Sequence, residues 1–168
     1  NFINDISILN KLGFIPIVIH GGGKRISNKL QESGIKSNFI NGLRVTDKIS
    51  ISIVEDVLNK FNREITESLI DNSCNSEGIT NRKNNIMTVE QENGELGFVG
   101  FPIEINQIMI EQIVREKKVP VIAPLGLDKN NQTYNINADT AAGAIAKKLN
   151  ARRLIIMSDV QGVLDDNK

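Results

Sequence analysis

Two kinds of apolar pattern alternate along the chain. Some stretches place apolar residues every third or fourth position, as one face of a helix does, and others are short continuous apolar runs, as strands buried on both faces are. Ile3, Ile6, Ile8, Leu9 and Leu12 follow the helical spacing, with Gly13 placed to stop it. The run 15–19, Ile-Pro-Ile-Val-Ile, predicts a buried strand. After three glycines, Ile26 and Leu30 share one face of a helix that ends near Ser33-Gly34. A short non-periodic segment follows, with Asn41-Gly42 as its turn signal. Thr46 or Asp47 can cap a long helix reaching about position 70. Along it Ile51, Val54, Leu58, Phe61, Ile65 and Leu69 form one apolar stripe. That stripe has two readings, a core face or a seam between subunits.

Residues 72–84 are polar and read as a loop. Ile86-Met87-Thr88-Val89 and Gly97-Phe98-Val99-Gly100 predict two strands around a turn at Glu92-Asn93-Gly94, a β-hairpin lid over the core. A helix over 105–116, a second buried strand over 119–123, a turn at 128–131 and an Ala-rich helix over 140–149 come next. Arg153-Leu154-Ile155-Ile156-Met157 predicts a third buried strand. This alternation predicts an α/β fold with a mainly parallel, doubly wound sheet flanked by helices.

A chain of 168 residues is long enough to bury a real core and usually forms one domain or two small lobes. Its 20 basic and 20 acidic residues cancel, and no long run of one sign occurs, which argues against a dedicated nucleic-acid partner. The longest apolar runs are strand-sized, so no membrane span is predicted. The lone Cys74 has no internal disulfide partner, and no Cys/His cluster suggests a metal. The abundance of Asn, Ile and Lys points to AT-rich coding, so much of the Asn carries no functional message. The chain begins at Asn1 and ends at Lys168 just after a strand-and-turn pattern; both ends read as cut from a longer protein.

The strongest chemical signal is Gly21-Gly22-Gly23, directly after a buried strand and before a helix. That arrangement offers bare backbone N–H groups and a helix N-terminus to an anion; without a ligand it is a tight turn. Arg44, near Asn41-Gly42, has the rigid fork that grips a carboxylate, or it is a surface arginine. Alternation puts Asn135, Asn137 and Asp139 on one side of an extended segment. Asp139, at a helix start, is either an N-cap or a catalytic group. Asp159, in Ser158-Asp159-Val160-Gln161-Gly162-Val163, ends the third predicted strand, where open α/β sheets bind ligands; it also fits an Asx turn. His20, the single histidine, reads as a packed strand-end residue rather than a general base. No Ser/His/Asp set and no Gly-Lys-Ser/Thr phosphate loop occurs.

Together His20-Gly21-Gly22-Gly23, Asn41-Gly42-Leu43-Arg44-Val45-Thr46, Leu96-Gly97-Phe98-Val99-Gly100, Asn135-Ile136-Asn137-Ala138-Asp139 and Ser158-Asp159-Val160-Gln161-Gly162-Val163 resemble the acetylglutamate kinase family, of the amino-acid kinase fold. The resemblance implies ATP-dependent phosphorylation of the side-chain carboxylate of N-acetyl-L-glutamate, in arginine biosynthesis. It implies an acetylglutamate-binding lobe over 1–139 and the beginning of an ATP-binding lobe over 140–168. Gly22 and Gly23 would then serve the reacting end of the substrate, Arg44 its α-carboxylate and Asn135 its main chain. Asp139 would orient the lysines flanking the phosphoryl group, Asp159, Val160, Gln161, Gly162 and Val163 would open the ATP site, and Mg2+ would bridge ATP phosphates. A homodimer or a trimer of dimers and a PII-type regulator also follow from the resemblance, while the AT-rich composition fits a place in a bacterial cytoplasm or a plastid stroma.

The family's two active-site lysines are expected outside 1–168, so the isolated chain is expected not to turn over. Two alternatives remain: another amino-acid kinase, against which Arg44 in its motif argues, and a non-catalytic module that binds acetylglutamate or arginine.

Overall fold

A computed structural model of the chain describes residues 2–157, and its centre is a parallel sheet of three strands, β1 (Val18–Ile19), β7 (Val119–Ile122) and β4 (Ser76–Ile79), in the order β1-β7-β4. Every residue of β7 is buried, as a strand covered on both faces requires. Register puts Val18, Val121 and Gly78 in one row and Ile19, Ile122 and Ile79 in the next. The pleat sends the two rows to opposite faces.

Helices cover both faces. The Val18–Val121 face packs against Ile6 of α1 (Phe2–Lys11) and against Ile65 and Leu69 of α3 (Lys48–Asp71). The opposite face, with Ile79 and Ile122, packs against Ile110 and Ile113 of α4 (Gln107–Arg115) and against Ala141 and Ile145 of α5 (Ala138–Lys148). A third cluster joins Ile26 and Leu30 of α2 (Gly23–Glu32) to Val54 and Leu58 of α3. Burying each such Leu or Ile completely contributes about 2 kcal/mol. The α/β architecture with a parallel sheet between helices is therefore as the apolar pattern predicts.

The long stripe is a core face: Ile51, Val54, Leu58, Ile65 and Leu69 are buried within the chain, and Phe61 is half-buried. Asp47 rather than Thr46 caps α3, its carboxylate accepting from the N–H groups of Ile49 at 3.0 Å and Ser50 at 2.7 Å. The Asn41-Gly42 turn closes a hairpin of β2 (Phe39–Ile40) and β3 (Leu43–Arg44), with φ of 49° and 79° at its two central residues. Both φ values are positive, which the tightest hairpin turns require and Asn-Gly tolerates.

Three segments differ from expectation. Within the polar segment 72–84, Ser76–Ile79 is a sheet strand rather than loop. A hairpin does form there, but its second strand is β6 (Gly100–Ile105) rather than 97–100, and with β5 (Met87–Gln91) it belongs to a four-stranded mixed sheet that includes β8 (Leu125–Leu127) and β9 (Thr133–Asn135), in the order β6-β5-β8-β9. The apolar run 153–157 is not a buried strand: it pairs with no described strand, and Ile155 is 77% exposed. An apolar run becomes a strand only where a neighbour offers it backbone partners. Cys74 is free and buried with the α1–α3 core.

Candidate active site

The functional geometry gathers at the carboxyl ends of the parallel strands, the usual place for ligands in open α/β sheets. Three chain corners meet there. The first is the turn from β1 through Gly21 and Gly22 into α2. The second is the passage from β7 to β8, where two residues, Ala123 and Pro124, carry the chain from one sheet to the other. The third is the step from β9 into α5, which brings the Ala138 Cβ to 3.9 Å from where a side chain on Gly21 would begin. Between them lies a cavity of about 190 Å³, lined by Gly22, Gly23, Arg44, Asn135 and Asn137 and by the apolar Leu58, Val99, Pro124 and Ile136.

Gly22 is the N-cap residue of α2, with no side chain to satisfy the helix's first N–H groups. Those groups carry the positive end of the helix dipole to the cavity edge. A Cβ on Gly22 would come within 2.6 Å of Leu58 Cδ2, so any side chain here requires Leu58 to shift.

Arg44 is only 7% exposed. Its guanidinium donates to Ser37 Oγ at 2.6 Å, to the Gly23 carbonyl oxygen at 2.9 Å and to Ser27 Oγ at 3.0 Å, and it lies 4.6 Å from the centre of the Phe39 ring. Burial lowers its pKa from the ordinary arginine value, yet a guanidinium stays charged in proteins. Among the described residues no carboxylate pairs with it. A buried cation held only by neutral groups, at the wall of a cavity, is suited to an incoming anion.

Asn135 Nδ2 donates to Thr46 Oγ1 at 3.4 Å. Asn137 is the cap of α5, accepting at Oδ1 from the N–H groups of Asp139 and Thr140, each at 3.0 Å. The capping role open to Asp139 therefore falls to Asn137, and the alternation from Asn135 ends where the helix starts. Asp139 stands exposed on the first turn of α5, outside the cavity lining. Gly22, Gly23, Arg44 and Asn135 all line the cavity. Asp159, Val160, Gln161, Gly162 and Val163 lie outside the described residues.

A family model for the amino acid kinase family matches residues 1–168. The chain belongs to the amino acid kinase family. Among curated members it is 64% identical over 167 residues to an acetylglutamate kinase of Pelagibacter ubique (strain HTCC1062), matching 99% of this chain and 58% of that protein. It is 41% identical over 170 residues to an acetylglutamate kinase of Campylobacter fetus subsp. fetus (strain 82-40), matching 100% of this chain and 61% of that protein. The chain thus spans about three fifths of the length of these relatives. The crystal structure of smu.665 from Streptococcus mutans UA159 superposes with a TM-score of 0.90 at 29% identity, over 98% of this chain and 68% of that one. N-acetylglutamate synthase from Neisseria gonorrhoeae shares the fold, with a TM-score of 0.78 at 18% identity over 98% of this chain and 40% of that one.

For an amino acid kinase the site contains groups that residue-by-residue reading passes over. Ser27, Ser37 and Phe39 build the seat of Arg44, and Leu58 and Val99 supply the apolar wall. Two serines in polar stretches carry no periodic signal of their own. His20, by contrast, is packed as its position predicts: 6% exposed, with a pKa lowered first by burial and further by the charge of Arg25, against a raising hydrogen bond to Gly21.

Proposed function

We propose that the chain is the acetylglutamate-binding part of an acetylglutamate kinase, the enzyme that phosphorylates the side-chain carboxylate of N-acetyl-L-glutamate at the expense of ATP. The observation that carries the reading is the pairing of two anion-seeking features in one small cavity: the buried Arg44 guanidinium without a carboxylate partner among the described residues, and the uncapped N-terminus of α2 at Gly22-Gly23. A ligand with two carboxylates and a short apolar part suits both features and the Leu58–Val99–Ile136 wall. The 64% identity to an acetylglutamate kinase supports acetylglutamate as that ligand.

In this reading the Arg44 charge holds the α-carboxylate, and Asn135 holds the substrate main chain. The Gly22 and Gly23 amides face the side-chain carboxylate that accepts the phosphoryl group. That carboxylate is already ionised at neutral pH, so no general base is needed. Catalysis is then orientation and stabilisation of charge spread over phosphoryl oxygens, as in other phosphoryl transfers. ATP with Mg2+ supplies the phosphoryl group. Of the residues described, the glycine turn and the start of α2 fit its transferring end. In this reading Mg2+ would be held chiefly by the nucleotide's phosphates.

Residues 1–139 would be the acetylglutamate lobe, and 140–168, with Asp159 to Val163, the start of the nucleotide lobe. Asp139 acts as an orienting group toward lysines rather than as a nucleophile. A homo-oligomer and a PII-type regulator belong to this proposal too; with the α3 stripe used internally, a dimer seam on α3 would use the helix's other face. The cytoplasm or a plastid stroma as its place belongs to the proposal as well.

Titration calorimetry tests the reading. The chain should bind N-acetyl-L-glutamate, and should bind N-acetyl-L-glutamine, which lacks one carboxylate, at least about tenfold more weakly. Equal affinity for the two, or tighter binding of L-arginine than of either, would remove the assignment.

A further inference from the structure

Behind the glycine turn lies a buried polar pair that the proposed function leaves without a role. His20 is 6% exposed and Asn62, in the middle of α3, is 2% exposed. Asn62 Nδ2 lies 2.8 Å from the Val121 carbonyl oxygen, 3.4 Å from that of Ile79 and 3.2 Å from His20 Nε2. Two of these neighbours are carbonyl oxygens, so the atom facing them is the amide nitrogen. Room for the Asn62 side chain exists because residue 78 is glycine: a Cβ there would come within 2.4 Å of Asn62 Oδ1. The Phe61 ring stands edge-on to the imidazole, with centroids 5.1 Å apart, and the Arg25 guanidinium covers Phe61 at 3.9 Å.

This arrangement fixes the histidine's proton. The Gly21 carbonyl oxygen facing Nδ1 can only accept, and the Asn62 amide nitrogen facing Nε2 can only donate, so Nε2 is left without a hydrogen. The neutral ring then carries its hydrogen on Nδ1, which lies 3.0 Å from the Gly21 carbonyl oxygen and donates to it. The peptide from Gly21 to Gly22 is trans and planar, as every described peptide bond here is trans. In such a unit the carbonyl oxygen and the following N–H point in opposite directions. Drawing the Gly21 oxygen toward His20 therefore turns the Gly22 N–H the other way.

We propose that His20, locked in its Nδ1–H tautomer by Asn62, is a positioning residue that aims the Gly22 N–H toward the ligand cavity. The proposal rests on the reading of Gly22 and Gly23 as anion-holding amides. It joins the carbonyl ends of β7 and β4 to the glycine turn through two side chains. His20 touches no reacting atom in this scheme; it sets the direction of a group that does.

Nitrogen-15 NMR and calorimetry on the chain test this. In the wild type, His20 Nδ1 should resonate in the protonated range and Nε2 in the unprotonated range. His20→Asn keeps an N–H donor near the place of Nδ1 and should leave the Gly22 and Gly23 amide resonances close to wild type. His20→Phe fills the space without a donor and should shift both resonances while the rest of the spectrum stays folded. Affinity for N-acetyl-L-glutamate should fall about tenfold in His20→Phe, the scale of one misdirected hydrogen bond to a charged group, and only slightly in His20→Asn. A wild-type Nε2–H tautomer, or a His20→Phe protein with wild-type amide resonances, would overturn the proposal. If the wild type binds no acetylglutamate, the functional reading fails, while the tautomer and the two amide resonances still decide the positioning role.

Discussion

Arg44 donates through Nη2 to the carbonyl oxygen of Gly23 at 2.9 Å, which ties the β2–β3 hairpin to the first residue of α2. The cation and the helix N-terminus are thus fixed relative to each other before any ligand arrives. Arg44→Lys keeps the charge but not the fork or the reach to Ser27, Ser37 and Gly23 together. Its affinity for acetylglutamate should fall about tenfold to a hundredfold by calorimetry, from the loss of roughly 1.5–3 kcal/mol of charge-assisted hydrogen bonding. Arg44→Ala should in addition lower the unfolding free energy by about 1–3 kcal/mol in urea titration, since its three partners lose their donor. Unchanged affinity in the lysine variant would show that Arg44 serves the fold alone.

Gly22 and Leu58 are a steric pair, with 2.6 Å between Leu58 Cδ2 and the place a Cβ on residue 22 would take. Gly22→Ala should destabilise by about 1–3 kcal/mol, the scale of overpacking a core. Trimming the neighbour with Leu58→Val should recover part of that loss. The double variant should therefore be more stable than the two single effects summed. Strict additivity in urea titration would mean that the two side chains do not compete for space.

Legibility from the sequence followed how strongly each segment's partners constrain it. The Asn41-Gly42 hairpin, the Asp47 cap region and the α3 stripe were legible because their determinants are local: positive φ, a side-chain acceptor, a spacing of three and four. Strand β4, Ser-Glu-Gly-Ile, was not, because its polar look comes from its neighbours. Gly78 is small to admit Asn62, and Glu77 meets Lys118 at 3.0 Å and Lys83 at 3.6 Å. The three-residue strands β8 and β9 are too short to show any period. The reverse error lies at 153–157, where apolar content suggested a strand that has no described partner. Around the cavity, Gly22, Gly23, Arg44 and Asn135 stand in local sequence motifs. Ser27, Ser37 and Asn62 were not, because their importance lies in which distant atoms they meet.

Asp47 accepts two backbone N–H groups at the start of α3, and these hydrogen bonds, led by those with Ser50, hold its carboxyl pKa below the ordinary 3.8. Asp47→Ala should cost about 1 kcal/mol at neutral pH, and Asp47→Asn much less. The native pKa is depressed, so the capping contribution is present above about pH 3.8 and is lost as pH falls through the native value. The gap between wild type and Asp47→Ala in thermal unfolding should therefore narrow in acid. A gap constant with pH would assign the effect to helix propensity instead of the ionised cap.

His20 gives the complementary window. Its native pKa is lowered from 6.5, first by burial and then by Arg25, and protonation at Nε2 would set a second donor against the Asn62 amide. Between the native value and 6.5 the unfolded chain binds more protons than the native one, so stability rises with pH across that interval. It is fully present above about pH 6.5 and declines as pH falls toward the native value. No other histidine exists in the 168 residues, so a slope in that interval is assignable to this ring. Urea titrations at stepped pH should show it in the wild type and not in His20→Asn. Parallel profiles for the two proteins would mean that the imidazole charges freely in the native state, and that neither its burial nor Asn62 holds it neutral.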